Sequence, residues 1–419
     1  EVCRRRAREL ALVQFTSGTS ARARGVAVRF DALHANIEAI RRWLGMGGEE
    51  GTASWLPVHH DMGLIGCLLT PIANASELWL MLPEQFLRRP LRYLRCFAAG
   101  DAHLTSMPSF GLAYIARRVP AAALAGLDFS AWRAIIVGAE RIDPLALRRF
   151  TALLGPAGLS PAALRPAYGL AEATLAVTGV AMGERWRALG VKPGTLALGR
   201  RVSVASGGAD VVGCGRPLAG VGVEIRDVRG RPAGEGVVGE VVVAGPAVAG
   251  GYLVADPGSP TRIAGGEVRT GDAGFLLDGE LFVLGRLGDS LKVRGRHVFA
   301  EDLELALVHA GVPAHRLTVL LGDHAGVPTA IAVLERVGAE WGAQAESILR
   351  RGAEHARIVV VDAPRGTIQR TSSGKPRRRR LWREFVEDRL AGEVLLDRRP
   401  PGASRPDNQP TPDPRGTYV

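Results

Sequence analysis

Residues 10–46, LALVQFTSGTSARARGVAVRFDALHANIEAIRRWLGM, decide the fold class. An apolar run of strand length leads into a loop of Ser, Thr and Gly. After it, Leu33, Ile37, Ile40 and Leu44 fall on one face of a helix that Asp31 is placed to cap. Outward from there, AIIVG (134–138) and VGEVVVAG (238–245) are again short apolar strands, so strands and helices mix along the chain and the fold class is α/β. Between about 205 and 286 the texture changes to β-branched strands rich in glycine, which predicts a β-rich subdomain. A mixed segment follows over 287–390. Residues 391–419 are proline-rich and polar at their end and are expected to be disordered.

With 419 residues and 47% hydrophobic content, the chain is long enough for two domains. Its longest apolar run, LLTPIANASELWLML (68–82), is broken by Pro71, Asn74, Ser76 and Glu77, so no membrane span of roughly 20 apolar residues is expected. The opening EVCRRRAREL has no apolar signal core and starts on Glu1, which points to a fragment or processed start and to a cytoplasmic location. Cys3, Cys67, Cys96 and Cys214 lack metal-ligand spacing and read as reduced. The net charge of +11 comes almost wholly from arginines scattered among acidic residues, which argues against nucleic acid and leaves an acidic protein partner open. Lys192, Lys292 and Lys375 are the only lysines, so a lysine at a meaningful position stands out.

The loop Thr16-Ser17-Gly18-Thr19-Ser20, continued to Arg24 and Gly25, lies between strand and helix. Glycines let a polyphosphate approach, backbone amides and hydroxyls donate to it, and arginines neutralise it, although a plain surface turn has a similar composition. SWLPVHHDMGLIG (54–66) places two histidines before a glycine-bearing apolar stretch; His60 and Asp61 have no third ligand nearby for zinc. Tyr168-Gly169 and Glu172 supply an aromatic, a turn and a carboxylate suited to Mg²⁺, or to a simple cap.

In order, these stretches resemble the adenylate-forming ANL superfamily, and within it the fatty acyl-AMP ligases, from about Val13 to Arg380. The resemblance implies that a large adenylation domain (1–286) precedes a small, mobile and reduced α+β domain (287–390), hinged near Gly288-Asp289. It also implies ATP and Mg²⁺ as cofactors and a fatty acid as substrate. Thr16, Ser17, Gly18, Thr19, Ser20 and Arg24 would bind phosphates; Gly138, Ala139 and Glu140 would cradle adenine. Tyr168, beside Gly169, would stack on the base, Glu172 would hold the metal, and His60 would gate the acyl pocket. Asp272 and Arg286 would take the ribose. Lys375, in TSSGK (371–375), would reach the reacting carboxylate and α-phosphate, a place suited to a compact ammonium.

Several positions depart from the family pattern. Ala23 and Arg24 replace the commoner Pro and Lys, Gly288 stands where Lys is common, and His297 and Ala300 replace Asn and Pro. The run Pro376–Arg380 reads as a solvated face or partner patch. The stretch 177–215 resembles the insertion that separates acyl-AMP ligases from acyl-CoA synthetases, which implies an acyl carrier protein as acceptor. The family's N-terminal subdomain is expected ahead of the phosphate loop and is missing here, where the loop begins at Thr16. An acyl-CoA ligase, or a degenerate non-catalytic homologue acting as a partner protein, remains the alternative.

Overall fold

The computed structural model describes residues 9–16, 24–192, 195–254, 260–293, 296–336, 339–371 and 374–400. Seven strands form the central sheet, in the spatial order Arg216–Pro217, Ala176–Gly179, Leu164–Gly169, Ala134–Val137, Leu104–Met107, Thr52–Ser54, Leu78–Leu80. From Leu164–Gly169 to Leu78–Leu80 the pairings are parallel; the other two are antiparallel. Parallel neighbours need crossovers, which lay helices on the sheet and bury both of its faces. Thr52–Ser54 and Leu104–Met107 are accordingly buried at every position. Against them Trp55 stacks on Phe86 at 4.2 Å and Phe97 on Trp132 at 3.8 Å.

The helix read from residues 30–44 is present as Phe30–Leu44 and buries Ala32, Ile37, Ile40 and Leu44, while Leu33 is only half-buried. Its N-cap is Arg29; Asp31 sits inside the first turn instead, accepting from the Ala32 amide at 2.8 Å and pairing with Arg29 at 3.0 Å. An acidic group there still favours the positive end of the helix dipole. The periodicity hid one feature. Asn36, fully buried, donates to the Ala176 carbonyl at 2.8 Å and accepts from the Ala176 amide at 3.0 Å, pinning the helix to the sheet. Gly179 is needed beside this contact, because a Cβ there would stand 2.1 Å from the Trp43 ring.

The β-rich segment contains a five-stranded antiparallel sheet built on Glu267–Leu277, which pairs with Gly239–Ala244, Arg262–Ala264 and Glu280–Arg286, with Gly222–Arg226 outside Gly239–Ala244. Further on, the hairpin Ser290–Val293/Arg296–Phe299 leads to a four-stranded sheet in the order Leu317–His324, Val327–Glu335, Arg357–Ala363, Glu393–Arg398. Helices Ala300–His309 and Ala339–Gly352 pack against it and share a separate core that includes Leu303, Leu307, Leu349 and Val360. Residues Glu393–Arg398, placed by composition in a disordered tail, form the edge strand of this sheet, since their backbone pairs with Ile358–Asp362. The remainder of that tail, 401–419, lies outside the described residues. Among the described residues no helix is long and apolar enough to cross a membrane.

Replacing Asn36 with Ala strands the buried Ala176 amide and carbonyl. Urea unfolding of Asn36→Ala is expected to show a loss of about 1–3 kcal/mol.

Candidate active site

The carboxyl ends of the parallel strands converge on one crevice, the usual ligand position in open α/β sheets. Tyr168 lies at the end of Leu164–Gly169, the segment Gly138-Ala139-Glu140 follows Ala134–Val137, and His60 follows Thr52–Ser54. Ala139 takes a left-handed backbone, φ 68°, which turns the chain sharply after the strand. A Cβ on Gly138 would meet the Ala167 carbonyl at 3.0 Å, and this keeps the two strand ends close. Glu140 accepts from the Phe110 amide at 2.9 Å, at the start of helix Ser109–Arg118.

Asp272 and Arg286 occupy one register position on paired strands and form an ion pair of 2.8 Å. The Tyr168 hydroxyl donates to the other Asp272 oxygen at 2.6 Å, joining the central sheet to the second sheet. Burial, reinforced by Asp272, pushes the Tyr168 phenol well above its ordinary range, so it stays a donor. Arg286 is held in its charged form chiefly by Asp272 and also reaches Thr261 Oγ1 at 3.3 Å. Thr270 Oγ1 accepts from the Asp272 amide at 3.0 Å and fixes the turn beneath the carboxylate.

Thr16 and Arg24 are register partners at the mouth of the first hairpin. Ser17, Gly18, Thr19 and Ser20, between them, lie outside the described residues. Arg24 is buried, its guanidinium lies 4.1 Å from the Tyr252 ring centroid and 3.7 Å from Glu172, and its Nε and Nη1 have no partner among the described residues. Buried guanidinium donors without acceptors are a place for an anion. Glu172 is buried too and accepts from the Tyr252 hydroxyl at 2.6 Å through Oε1. Its second oxygen accepts no hydrogen bond among the described residues, which fits a Mg²⁺ held by one carboxylate and by substrate phosphates. Among the described residues no group of three His, Cys, Asp or Glu could form an all-protein metal cage.

His60 contacts Asp61 at 2.7 Å, and Asp61 accepts from the Met62 amide at 2.8 Å where the π-helix Met62–Leu69 begins. π-Helical turns are rare and concentrate at functional sites. Burial works against the Asp61 charge, yet the His60 hydrogen bond, the Met62 amide and Lys375 hold its pKa below the ordinary value. Lys375 is preceded by Gly374, φ 82°, and its carbonyl accepts from the Thr371 amide at 2.8 Å. Around the ammonium, desolvation and then Arg286 lower its pKa, opposed by Asp61, Asp272 and Glu140. The structure therefore brings Asp272, Arg286, Glu140 and Asp61 within electrostatic reach of Lys375, although they are scattered over more than 300 residues of sequence.

Three residues take places that the sequence reading does not give them. Asp61 enters that reading only with His60 as a metal ligand, and Tyr252 lies in no motif; only the structure sets one within electrostatic reach of Lys375 and the other on Glu172. Arg378, read as part of a solvated basic run, is instead half-buried at the centre of an ion cluster with Asp289 (3.1 Å), Glu301 (3.1 Å) and Glu304 (2.7 Å). Burying three carboxylates together demands a cation among them, and burial still raises the Glu301 pKa. The stretch 177–215, which the sequence singles out, contains the antiparallel strand pair Ala188–Val191/Ala209–Val212, and its Leu196 carbonyl accepts from the His297 amide at 3.2 Å.

A family described as AMP-binding enzyme matches residues 1–253. The 4-hydroxyphenylalkanoate adenylyltransferase of Mycobacterium tuberculosis is 33% identical over 88% of this chain, and the chain spans 64% of that relative. The medium-chain-fatty-acid–[acyl-carrier-protein] ligase JamA of Moorena producens is 31% identical over 91% of the chain, which spans 68% of it. A fatty acyl-adenylate ligase structure from work on E. coli and L. pneumophila superposes with a TM-score of 0.82 at 30% identity, covering 91% of this chain and 71% of the other.

The lowered Lys375 pKa has a definite sign in activity. The charged form is lost as pH rises, so a reaction that needs it declines on the basic side. An activity that needs the charged Lys375 is expected to decline, in a kcat/KM profile, at a pH below the ordinary lysine value of about 10.4, and Lys375→Arg should remove that limb from whatever activity it retains.

Proposed function

The chain belongs to the AMP-binding enzyme family, and we propose on that premise that it activates a fatty acid with ATP to the acyl-adenylate, releasing pyrophosphate. The observation that carries this reading is the joint of Asp272 with Arg286 and Tyr168, with the Lys375 ammonium within electrostatic reach of Asp272, Asp61 and Glu140. Asp272, its oxygens oriented by Tyr168 and Arg286, accepts the two ribose hydroxyls. Tyr168 stacks on adenine, and Gly138-Ala139-Glu140 frames its edge. The loop from Thr16 to Arg24 carries the polyphosphate, with the unpartnered Arg24 donors turned to it. Mg²⁺, when bound, neutralises phosphate charge, and Glu172 is the residue that would hold it. His60 stands at the acyl entrance.

The fatty acid carboxylate attacks the α-phosphorus; an O–P bond forms on one side as the bond to the β-phosphate oxygen breaks on the other. Negative charge crowds the α-phosphate in the transition state, where the Lys375 ammonium is a preorganised counter-charge. No protein nucleophile takes part. Lys375 is delivered from beyond residue 286, so 287–390 acts as a small domain that approaches the larger 1–286 and is expected to move about Gly288-Asp289.

The acceptor is the phosphopantetheine thiol of an acyl carrier protein. Two things support this over free CoA: the 177–215 stretch with its contact to His297, and a net charge of +11 that would steer an acidic carrier. The alternative reading as a non-catalytic homologue would need the Lys375 cluster to serve no chemistry.

Lys375→Ala should reduce ATP–pyrophosphate exchange by on the order of 10²–10³ while ATP affinity measured by calorimetry stays near the parent value. Near-normal exchange in that variant would sink the assignment. In a separate assay, acyl transfer from the purified chain to a phosphopantetheinylated carrier protein should far exceed transfer to CoA; efficient acyl-CoA formation would favour the ligase class that uses CoA.

A further inference from the structure

Helix Ala300–His309 is gripped on two faces. On one, Asp302 pairs with Arg141 at 3.1 Å, and His309 Nε2 contacts Asp143 Oδ1 at 3.1 Å. The spacing makes both contacts possible at once. Residues seven apart return to the same helical face after about two turns, while residues two apart on a non-helical segment point to the same side. Arg141 is itself held, donating to the Val283 carbonyl, and Asp143 caps helix Pro144–Leu154 by accepting from the Leu145 amide at 2.8 Å. On the other face, Glu301 and Glu304 bind Arg378, which stands three residues after Lys375. Two sets of ion pairs, joined through one helix, thus link Arg141, the residue directly after Glu140, to Arg378, three residues beyond Lys375.

We propose that Arg141 is a positioning residue for the adenylation step: through Asp302 and helix Ala300–His309 it sets where the Lys375 ammonium stands over the crevice. Arg141 is mostly enclosed and Asp302 is partly so, with side-chain exposures of 11% and 33%, which shields the pair from the screening that makes surface ion pairs weak. Burial raises the Asp302 pKa, and Arg141 opposes that rise, so the Asp302 charge depends on Arg141. The strut acts on placement of the cation, not on nucleotide contacts. Its loss should therefore appear in turnover and leave ATP binding alone.

The inference rests on the adenylation reading, and one experiment separates the two. ATP–pyrophosphate exchange is measured at saturating fatty acid for the parent chain, Arg141→Gln, Asp302→Asn, the double variant, and Arg141→Gln combined with Lys375→Ala, each checked by thermal unfolding. Expected are a loss of about 10-fold in kcat for each single variant with the ATP KM within about twofold. The double variant should lose no more than either single change, as coupled neighbours do. On the Lys375→Ala background Arg141→Gln should cost nothing further, because its effect passes through the ammonium. Unchanged kcat in the single variants, a loss carried by ATP KM, or a further 10-fold fall on the Lys375→Ala background would each overturn the proposal. Should Arg141→Gln fail to fold, His309→Gln on the same face provides the same test, with a smaller fall in kcat and the same requirement of no effect without Lys375. A parent chain without exchange would remove the adenylation reading and this inference with it.

Discussion

Asp272 and Arg286 face each other across two antiparallel strands, and the rest of the crevice is organised by that pair. Each carboxylate oxygen is already aimed: one at the guanidinium, the other at the Tyr168 hydroxyl. Asp272 is buried and Arg286 half-buried, and the carboxylate is tied to both the central sheet and the second sheet. A carboxylate in such a place survives only because its charge is matched and its lone pairs are directed, the condition under which a buried ion pair brings positional accuracy even where its net contribution to stability is small. Tyr168 connects the two layers, and burial with Asp272 beside it pushes its phenol well above the ordinary range, so it stays a donor.

Around this joint the charges alternate. Arg286 and Lys375 are cations, Asp61, Asp272 and Glu140 are anions, and Arg24 and Glu172 repeat the pattern at the hairpin mouth with Tyr252 between them. Bringing a polyanionic nucleotide and a carboxylate together in such a site requires excess positive potential where phosphates sit and negative groups where hydroxyls sit. The arrangement separates these two tasks in space. Lys375 comes from the C-terminal segment, where Arg378, three residues on, is bound by Glu301 and Glu304 of helix Ala300–His309, so its placement depends on how two hydrophobic cores are set.

The helix Phe30–Leu44, the parallel strands and the β-rich segment could be read from the chain because each depends on local periodicity: apolar residues recur at the spacing of the element they build. Tyr168, Asp272, Arg286 and Lys375 were legible for a different reason, since each sits in a short stretch whose residue types suit one task. Asn36, Asp61, Tyr252 and Arg378 were not. Asn36 breaks the apolar pattern of its helix and looks like a surface residue until Ala176 is seen opposite it. Arg378 sits in a run of arginines that composition assigns to solvent, and only its three carboxylate neighbours reveal otherwise. Glu393–Arg398 carries polar residues beside a proline-rich tail, and its strand exists only because Arg357–Ala363 offers an open edge.

By itself, then, the sequence determined the α/β class, the order of the elements, the adenylate-forming family and the residue types available for phosphate, ribose and carboxylate. Periodicity and short motifs are properties of neighbouring residues, and they are written along the chain. The tertiary structure decided which charges meet. Arg141 with Asp302, Arg378 with Glu301 and Glu304, and Lys375 with Asp61 are pairings between distant segments, and the strength of a charge interaction depends on separation in space and on burial, neither of which is recorded in sequence order.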